Sequence, residues 1–139
     1  MNAAACLVFS AACLVFSARK YDHITPLLRD LHWLCTPQRI EYRLAVLAYR
    51  CQHGFAPSYL LTRLHIVSDV ESRQRLRSAS TTALVVPRTH HQTISDRAFP
   101  VAAASVWNSL SPAVMMSTSL SCFQRNLKTE LFARFYPNA

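Results

Sequence analysis

The apolar spacing between residues 36 and 52 constrains the fold of this chain more than any other stretch. Thr36 offers a hydroxyl for a helix N-cap, and Pro37 fits the first helical position, where no backbone N–H is needed. Apolar residues then follow with the i, i+4, i+7, i+8 and i+11 spacing of one helical stripe: Ile40, Leu44, Leu47, Ala48 and Cys51. Gly54, the single glycine of the chain, comes where a left-handed C-cap is wanted, and Pro57 follows it. The pattern predicts a helix that ends just before Gly54.

The opposite side of this helix is apolar as well. Four further apolar residues lie there: Tyr42, Ala45, Val46 and Tyr49. Charge is confined to Glu41 and to a narrow strip of three arginines: Arg39, Arg43 and Arg50. A helix that is apolar on two sides is normally packed on more than one neighbour. We therefore expect this helix to lie in the interior, with the rest of the chain organised around it.

The flanking segments divide the chain into regions of different character. We expect an apolar N-terminal helix in residues 1–20, a helical hub in 21–64, a basic loop in 65–95 and a C-terminal helical pair in 96–139. Residues 83–87 read ALVVP, a strand pattern, and residues 90–95 are the expected partner strand across a short turn. The predicted fold is mainly α, with about five helices and at most one short β-ribbon, around residues 83–95.

A seven-residue string near the N-terminus occurs twice. AACLVFS occupies residues 4–10 and again residues 11–17. A seven-residue period returns each side chain to nearly the same helical face, so the duplication is expected to extend a helix without rotating it. The segment lacks the positive n-region of a signal peptide and is shorter than the roughly 20 apolar residues of a membrane span. Secretion and membrane insertion are therefore not expected.

The charge of the chain points to a polyanionic partner. The formal net charge is +8, and of the 15 basic residues only Lys20 and Lys128 are lysine. Arginine suits bidentate contact with phosphate, which indicates RNA or DNA, while a basic composition that serves only solubility is the alternative. The candidate contacts are Arg39, Arg43, Arg50, Arg73, Arg75, Arg77 and Arg88.

Three of these arginines alternate in the basic loop. In an extended conformation Arg73, Arg75 and Arg77 would point the same way and straddle a phosphate backbone. The alternative is a solvated loop that binds nothing, since most charge runs are solvated surface.

The cysteines do not suggest a metal site. The chain has five, widely spaced and without a C-x-x-C pair, so neither a zinc ribbon nor a thioredoxin-type site is predicted. We expect free thiols, no metal, no cofactor, and a reducing intracellular compartment, either cytoplasm or nucleus.

Six stretches of the sequence, in order, resemble one family. They are DHITPLLRDLHWL at residues 22–34, QRIEYRLAVLAYRCQHGFAPSYL at 38–60, RLRSA at 75–79, VVPRT at 85–89, DRAFPVAAASVWNSL at 96–110 and SLSCFQRNLKTELF at 119–132. Together they resemble the region downstream of the polymerase domain in reverse transcriptases of LINE-type (non-LTR, jockey-like) retrotransposons. One departure is Cys35, which stands where the family usually has proline after HWL.

The resemblance implies a fragment of a transposable-element RNA-directed DNA polymerase that follows the polymerase thumb. Its partners would be template RNA or target DNA and the core of the parent reverse transcriptase. Catalysis by this chain is not expected, because a polymerase needs convergent carboxylates on magnesium. The aspartates are isolated from one another: Asp22, Asp30, Asp69 and Asp96. A single glycine also leaves no phosphate-cradling loop, and no small-molecule substrate is expected.

Two alternatives remain open beside nucleic-acid binding. In the first, the chain is a docking or scaffold segment that attaches to the parent polymerase without touching nucleic acid. In the second, it is a transposon remnant without function. In the docking alternative the anchor would be four apolar side chains: Leu7, Phe9, Leu14 and Phe16.

Overall fold

Helices make up most of the chain in the computed structural model, which describes residues 3–17, 19, 22–69, 82–88 and 97–137. In order they are α1 (Ala3–Phe16), α2 (Ile24–Asp30), α3 (Thr36–Gln52), α4 (Ser58–Leu61), α5 (Phe99–Asn108), α6 (Pro112–Met115) and α7 (Leu120–Phe135), with a 3-10 turn at Val67–Asp69. Helices α4 and α6 are single turns, so the five longer helices carry the fold of the described residues. The mainly α prediction is confirmed. Among these described helices, none combines the length and apolarity needed to cross a bilayer.

Helix α3 ends as its sequence predicts. Gly54 has a φ of +73°, in the left-handed region that glycine adopts without strain. The Phe55 N–H donates to the Arg50 carbonyl at 2.8 Å, and the Gly54 N–H donates to the Cys51 carbonyl at 3.3 Å. These paired bonds form a Schellman motif, which satisfies carbonyls that the helix end leaves without partners.

The burial of α3 differs from its predicted stripe at one end. Its buried residues all come from the second half of the helix: Ala45, Val46, Ala48, Tyr49 and Cys51. Both predicted apolar sides are therefore represented, which confirms an interior helix there. Ile40 is 51% exposed, so the prediction that it faces the core is wrong. An apolar stripe is buried only where other elements cover it, and this cover is not encoded in the spacing itself.

The chain forms two compact units. The first consists of Met1–Tyr42 together with Asn126–Ala139, and the second of Arg43–Arg125. The boundaries fall within α3 and α7, so the units do not coincide with the consecutive regions expected from the sequence. Each unit has its own buried residues and is described by itself.

The first unit is built on the packing of α1 against α2. Val8 and Ala12, one turn apart on α1, are buried with Leu28 of α2. Partly buried side chains surround this cluster: Ile24, Leu27, Leu31, Trp33 and Cys35. At the far end of the unit the Tyr136 hydroxyl donates to the Thr25 carbonyl at 3.4 Å. The segment after α7 is thereby tied to the start of α2.

The second unit is built on three aromatic rings. Phe123 of α7 stacks on Tyr49 of α3, with ring centroids 4.4 Å apart, and on Trp107 of α5, with centroids 5.8 Å apart. Burial of aromatic rings contributes more to a core than any other side-chain type. The Tyr49 hydroxyl is not left unpaired, because it donates to the Ser117 carbonyl at 3.0 Å. The N-terminus of α7 is capped by Ser119, whose hydroxyl accepts a hydrogen bond from the Cys122 N–H at 3.3 Å.

The predicted strand at residues 83–87 is extended but belongs to no strand or sheet among the described residues. Leu84 forms an isolated antiparallel bridge with Ile66, through the Val67 N–H to the Ala83 carbonyl (2.9 Å) and the Val85 N–H to the His65 carbonyl (2.8 Å). The partner expected from the sequence, residues 90–95, lies outside the described residues. The bridge therefore pairs residue 84 with the segment before it in the chain.

Candidate nucleic-acid interface

Arg43 and Arg50 form an exposed pair on one side of α3. They are seven residues apart, which places them on the same side and roughly 10 Å apart along the axis at about 1.5 Å per residue. By helical spacing Ala45, Ala48 and Tyr49 lie on the opposite side, where they are buried. Burial of that side therefore directs the two guanidinium groups toward solvent. Arg39 stands on the same strip by spacing but is half-buried.

The two exposed arginines are not neutralised within the described part of the chain. Two other arginines have carboxylate partners there: Arg29 lies 3.6 Å from Asp30, and Arg134 pairs with Glu130 one turn before it. No such ion pair involves Arg43 or Arg50 among the described residues. An unpaired arginine keeps its full set of donors for a phosphate.

Arg88 is the other described candidate, and it too is exposed. It is the last residue of the described segment 82–88, in which Leu84 is held on both sides. On one edge lies Ile66, and on the other the Asn108 carboxamide accepts from the Leu84 N–H at 2.9 Å and donates to the Leu84 carbonyl at 2.8 Å. Arg73, Arg75 and Arg77 lie outside the described residues, so their predicted role stays a prediction.

Burial makes two of the described thiols, Cys35 and Cys51, poor nucleophiles. Burial raises the pKa of the Cys51 thiol and also that of the Cys35 thiol, whose hydrogen bond with Tyr136 partly opposes the shift. A raised thiol pKa keeps the neutral form at neutral pH and disfavours nucleophilic attack and metal ligation. In the described ranges no three His, Cys, Asp or Glu side chains are grouped as metal ligands.

Sequence reasoning missed the part played by Trp107 and Asn108. Trp107 is fully buried, and its indole Nε1–H donates to the Thr82 carbonyl at 2.9 Å. With the two Asn108 bonds, side chains of α5 take the place of a partner strand for residues 82–84. The available signal was the Asn that directly follows a Trp at the end of an apolar helix, since such a polar residue next to a core residue often satisfies a buried backbone group.

Sequence reasoning also missed a groove beside α7, on the first unit. Lys128, Phe132 and Tyr136 repeat at i, i+4 and i+8 and face one cavity with His32. This spacing was the only feature of the sequence that could have indicated the groove, but it is equally typical of an ordinary helix face.

The apolar side chains of α1 are divided between a buried and an exposed side. Leu7 and Leu14, the equivalent leucines of the two copies, are 72% and 80% exposed. Their similar exposure agrees with a duplication that extends the helix without rotating it. Phe16 is exposed as well, while the side chain of Phe9 lies outside what the structure describes. The exposed leucines form the surface that the docking alternative would require.

Comparison with family models, curated proteins and solved structures found no match to this chain.

Proposed function

We propose that this chain is a nucleic-acid-holding segment without catalytic activity, equivalent to the carboxy-terminal region of a LINE-type retrotransposon reverse transcriptase. In this role it contacts the phosphate backbone of template RNA or target DNA through arginine side chains. The observation that carries the proposal is the exposed pair of Arg43 and Arg50 on α3, which lacks carboxylate partners among the described residues.

Arginine pairs of this kind act through electrostatics and geometry together. Each guanidinium that neutralises a phosphate releases a condensed counterion, which lowers the binding constant as salt rises. The planar guanidinium also binds two phosphate oxygens at once, which lysine does not. Because both residues lie on one helix whose opposite side is buried, the spacing of their Cα atoms is fixed before binding. The net charge of +8 adds attraction over the whole molecule.

The test is binding of the purified full chain to a single-stranded RNA oligomer at several salt concentrations, with duplex DNA as a competitor. The variant R43Q/R50Q is expected to bind more weakly and to lower the slope of log K against log salt by about 1.4, at about 0.7 per lost phosphate contact. Circular dichroism should stay unchanged, since both side chains are exposed. The matched control compares R50Q with R134Q, which removes one positive charge from an arginine already paired with Glu130.

An R43Q/R50Q variant with the wild-type affinity and slope would remove the α3 pair from the interface. Equal losses in R50Q and R134Q would mean that total charge, and not this pair, determines the binding.

A second candidate function is docking to the parent polymerase core, which the exposed Leu7 and Leu14 favour. Contiguous exposed apolar side chains commonly mark a protein contact. The L7Q/L14Q variant is then expected to lose co-purification with the polymerase domain of such a reverse transcriptase while RNA binding stays unchanged. Retained co-purification would exclude these leucines as the anchor.

A further inference from the structure

A groove lies along the last two turns of α7 in the first unit. Its volume is about 430 Å³, within the range of roughly 300–1,000 Å³ that is usual for small-ligand sites. The lining residues are His32, Lys128, Thr129, Phe132, Ala133, Tyr136 and Pro137. Apart from His32, all of them come from α7 and the two residues after it. The site is therefore built mainly on one helix face.

Aromatic rings form the floor of this groove. Phe132 packs against Tyr136 with centroids 4.7 Å apart and against the edge of His32 at 5.3 Å, with an interplanar angle of 68°. Phe132 is only half-buried, so part of its ring is accessible from the groove, while Tyr136 is buried. The Tyr136 hydroxyl donates to the Thr25 carbonyl, which fixes the ring against which Phe132 packs. Phe132 is thereby preorganised as a surface on which a planar molecule stacks.

A cation stands at one end of the ring platform. Lys128 lies one turn before Phe132 on the same face of α7 and is exposed. Glu130, the acidic residue nearest in sequence, points to Arg134 and is engaged with it. In the described part of the chain no carboxylate pairs with Lys128. Its ammonium group is therefore available for an anion that reaches the groove.

His32 supplies a polar group on the other wall. It has a φ of +52° and closes the C-terminus of α2, where the His32 N–H donates to the Arg29 carbonyl at 2.9 Å and the Trp33 N–H donates to the Leu28 carbonyl at 2.8 Å. The Nδ1 atom lies 3.1 Å from the same Arg29 carbonyl. A carbonyl only accepts hydrogen bonds, so this contact selects the tautomer with the proton on Nδ1, in which Nε2 is an acceptor. A ribose hydroxyl or an exocyclic amino group is the kind of donor that fits it.

We propose that this groove binds a nucleotide, with the base stacked on Phe132 and the phosphate held by Lys128. A flat aromatic surface, a nearby unpaired ammonium group and a hydrogen-bond acceptor match the three parts of a nucleotide. Stacking of one base on an aromatic side chain contributes about 1–3 kcal/mol and tolerates any base. The nucleotide is either free in solution or part of a single-stranded nucleic acid. The site shares no residue with the arginine pair of α3, so it goes beyond backbone contact.

Amide chemical shifts of the full-length, isotope-labelled chain test the proposal during titration with AMP, adenosine, inorganic phosphate and a single-stranded oligoadenylate. AMP is expected to shift the amides of His32, Lys128 and Phe132, and to bind more tightly than adenosine or phosphate alone. F132L is expected to weaken AMP and adenosine on the order of tenfold through the loss of stacking. K128Q is expected to weaken AMP about threefold to fivefold and leave adenosine unchanged.

Two controls lie outside the lining of the groove. F55L removes a phenylalanine that is 72% exposed, and R134Q removes a positive charge from α7, and both should keep the wild-type affinity for AMP. Absence of shifts at the groove with millimolar AMP overturns the proposal, as does an F132L variant that binds AMP as the wild type does. Oligoadenylate that binds much more tightly than AMP identifies the strand as the source of the nucleotide, and equal affinity identifies the free nucleotide.

The groove and the arginine pair fail independently. Loss of RNA binding in R43Q/R50Q with unchanged AMP shifts supports both sites. Loss of RNA binding in F132L but not in R43Q/R50Q supports the groove as a strand-binding site and contradicts the arginine pair. Loss of RNA binding in R43Q/R50Q but not in F132L supports the arginine pair, and the groove then depends on the AMP titration alone.

Discussion

Three described residues have a left-handed φ just after a helix: Ser17 (+51°) after α1, His32 (+52°) after α2 and Gly54 (+73°) after α3. Gly54 and His32 do so for different reasons. Gly54 closes α3 with a φ of +73°, and no atom lies within 4 Å of where its Cβ would be. A side chain would therefore fit at this position, and glycine is favoured there only by the left-handed backbone conformation. His32 closes α2 in the same way with a φ of +52°. Histidine is among the residues that enter this region more readily than most, and its ring contact with Phe132 helps to hold it there.

Tyr136 shows how burial of one phenol links stability to pH. Burial, together with the neighbouring Cys35 thiol, raises the pKa of Tyr136 to about 12 from its usual value of 10.0. Between those values the folded chain keeps a proton that the unfolded chain releases. The stability that Tyr136 contributes is therefore fully present below pH 10 and is lost as the pH rises toward 12.

We expect the Y136F variant to be less sensitive to alkaline pH than the wild type. Urea unfolding of both proteins at pH 8 and at steps above pH 10 measures this difference. Lysine, cysteine and the other tyrosines titrate in both proteins, so the comparison isolates the contribution of Tyr136. The stability of the wild type should fall more steeply than that of Y136F over this range. Parallel curves for the two proteins would contradict the assigned pKa.

At the scale of elements, side chains replace a strand in the second unit. Asn108 presents one acceptor and one donor to the two backbone groups of Leu84, as a neighbouring strand would. Residues 82–84 therefore have partners on both edges without a second strand there. An edge that is covered in this way does not offer itself for pairing with another chain.

We expect the N108A variant to lower the free energy of unfolding by about 1–3 kcal/mol, because the Leu84 N–H and carbonyl both lose their partners. Urea unfolding measures the loss. The control is S105A on the same helix, an exposed position where a change within about 0.5 kcal/mol is expected. A similar, small effect in both variants would mean that water replaces the carboxamide at Leu84.

The duplication in α1 offers a matched pair of sites in identical local sequence. Val8 and Val15 hold the same place in the two copies, yet Val8 is 9% exposed and Val15 is 61% exposed. We expect V8A to lower the free energy of unfolding by about 1–2 kcal/mol, through lost packing on α2. V15A should be neutral or slightly stabilising, since alanine favours a helix more than valine does. Equal effects in chemical unfolding would contradict the packing of the first copy on α2.

At the scale of the whole molecule, the charge of +8 exceeds what the α3 pair accounts for. The alternating Arg73, Arg75 and Arg77 are the other dense group of positive charge in the sequence. We expect the R73Q/R75Q/R77Q variant to bind RNA more weakly and to lower the salt slope by about 2, if each contacts one phosphate of a single strand. RNA affinity of this variant and of R43Q/R50Q, each measured at several salt concentrations, shows which of the two arginine groups contacts RNA. Unchanged binding would mean that these arginines are only a solvated loop.

Much of the secondary structure was accessible from the sequence, and the candidate sites were accessible only in part. Periodicity and the Gly54 cap placed α3 and its C-terminal end, because those features depend on hydrogen bonds between residues near each other in sequence. The predicted N-cap at Thr36 is one residue too late, since α3 begins at Thr36 and the Arg39 N–H donates to the Cys35 carbonyl. The arginines of α3 were identified by the same spacing. The groove beside α7 was not identified, since it needs His32 and Phe132, which are far apart in sequence, to meet.

What the sequence by itself determined is where helices begin and end and which sides of them are apolar. What the tertiary structure decided is which apolar side chains are covered. Identical copies place Val8 in a core and Val15 in solvent, and Ile40 is exposed although it fits the stripe of α3. It also decided that Leu84 meets Ile66 and Asn108. The physical reason is that helical hydrogen bonds are local, whereas burial depends on which distant surfaces of the chain come into contact.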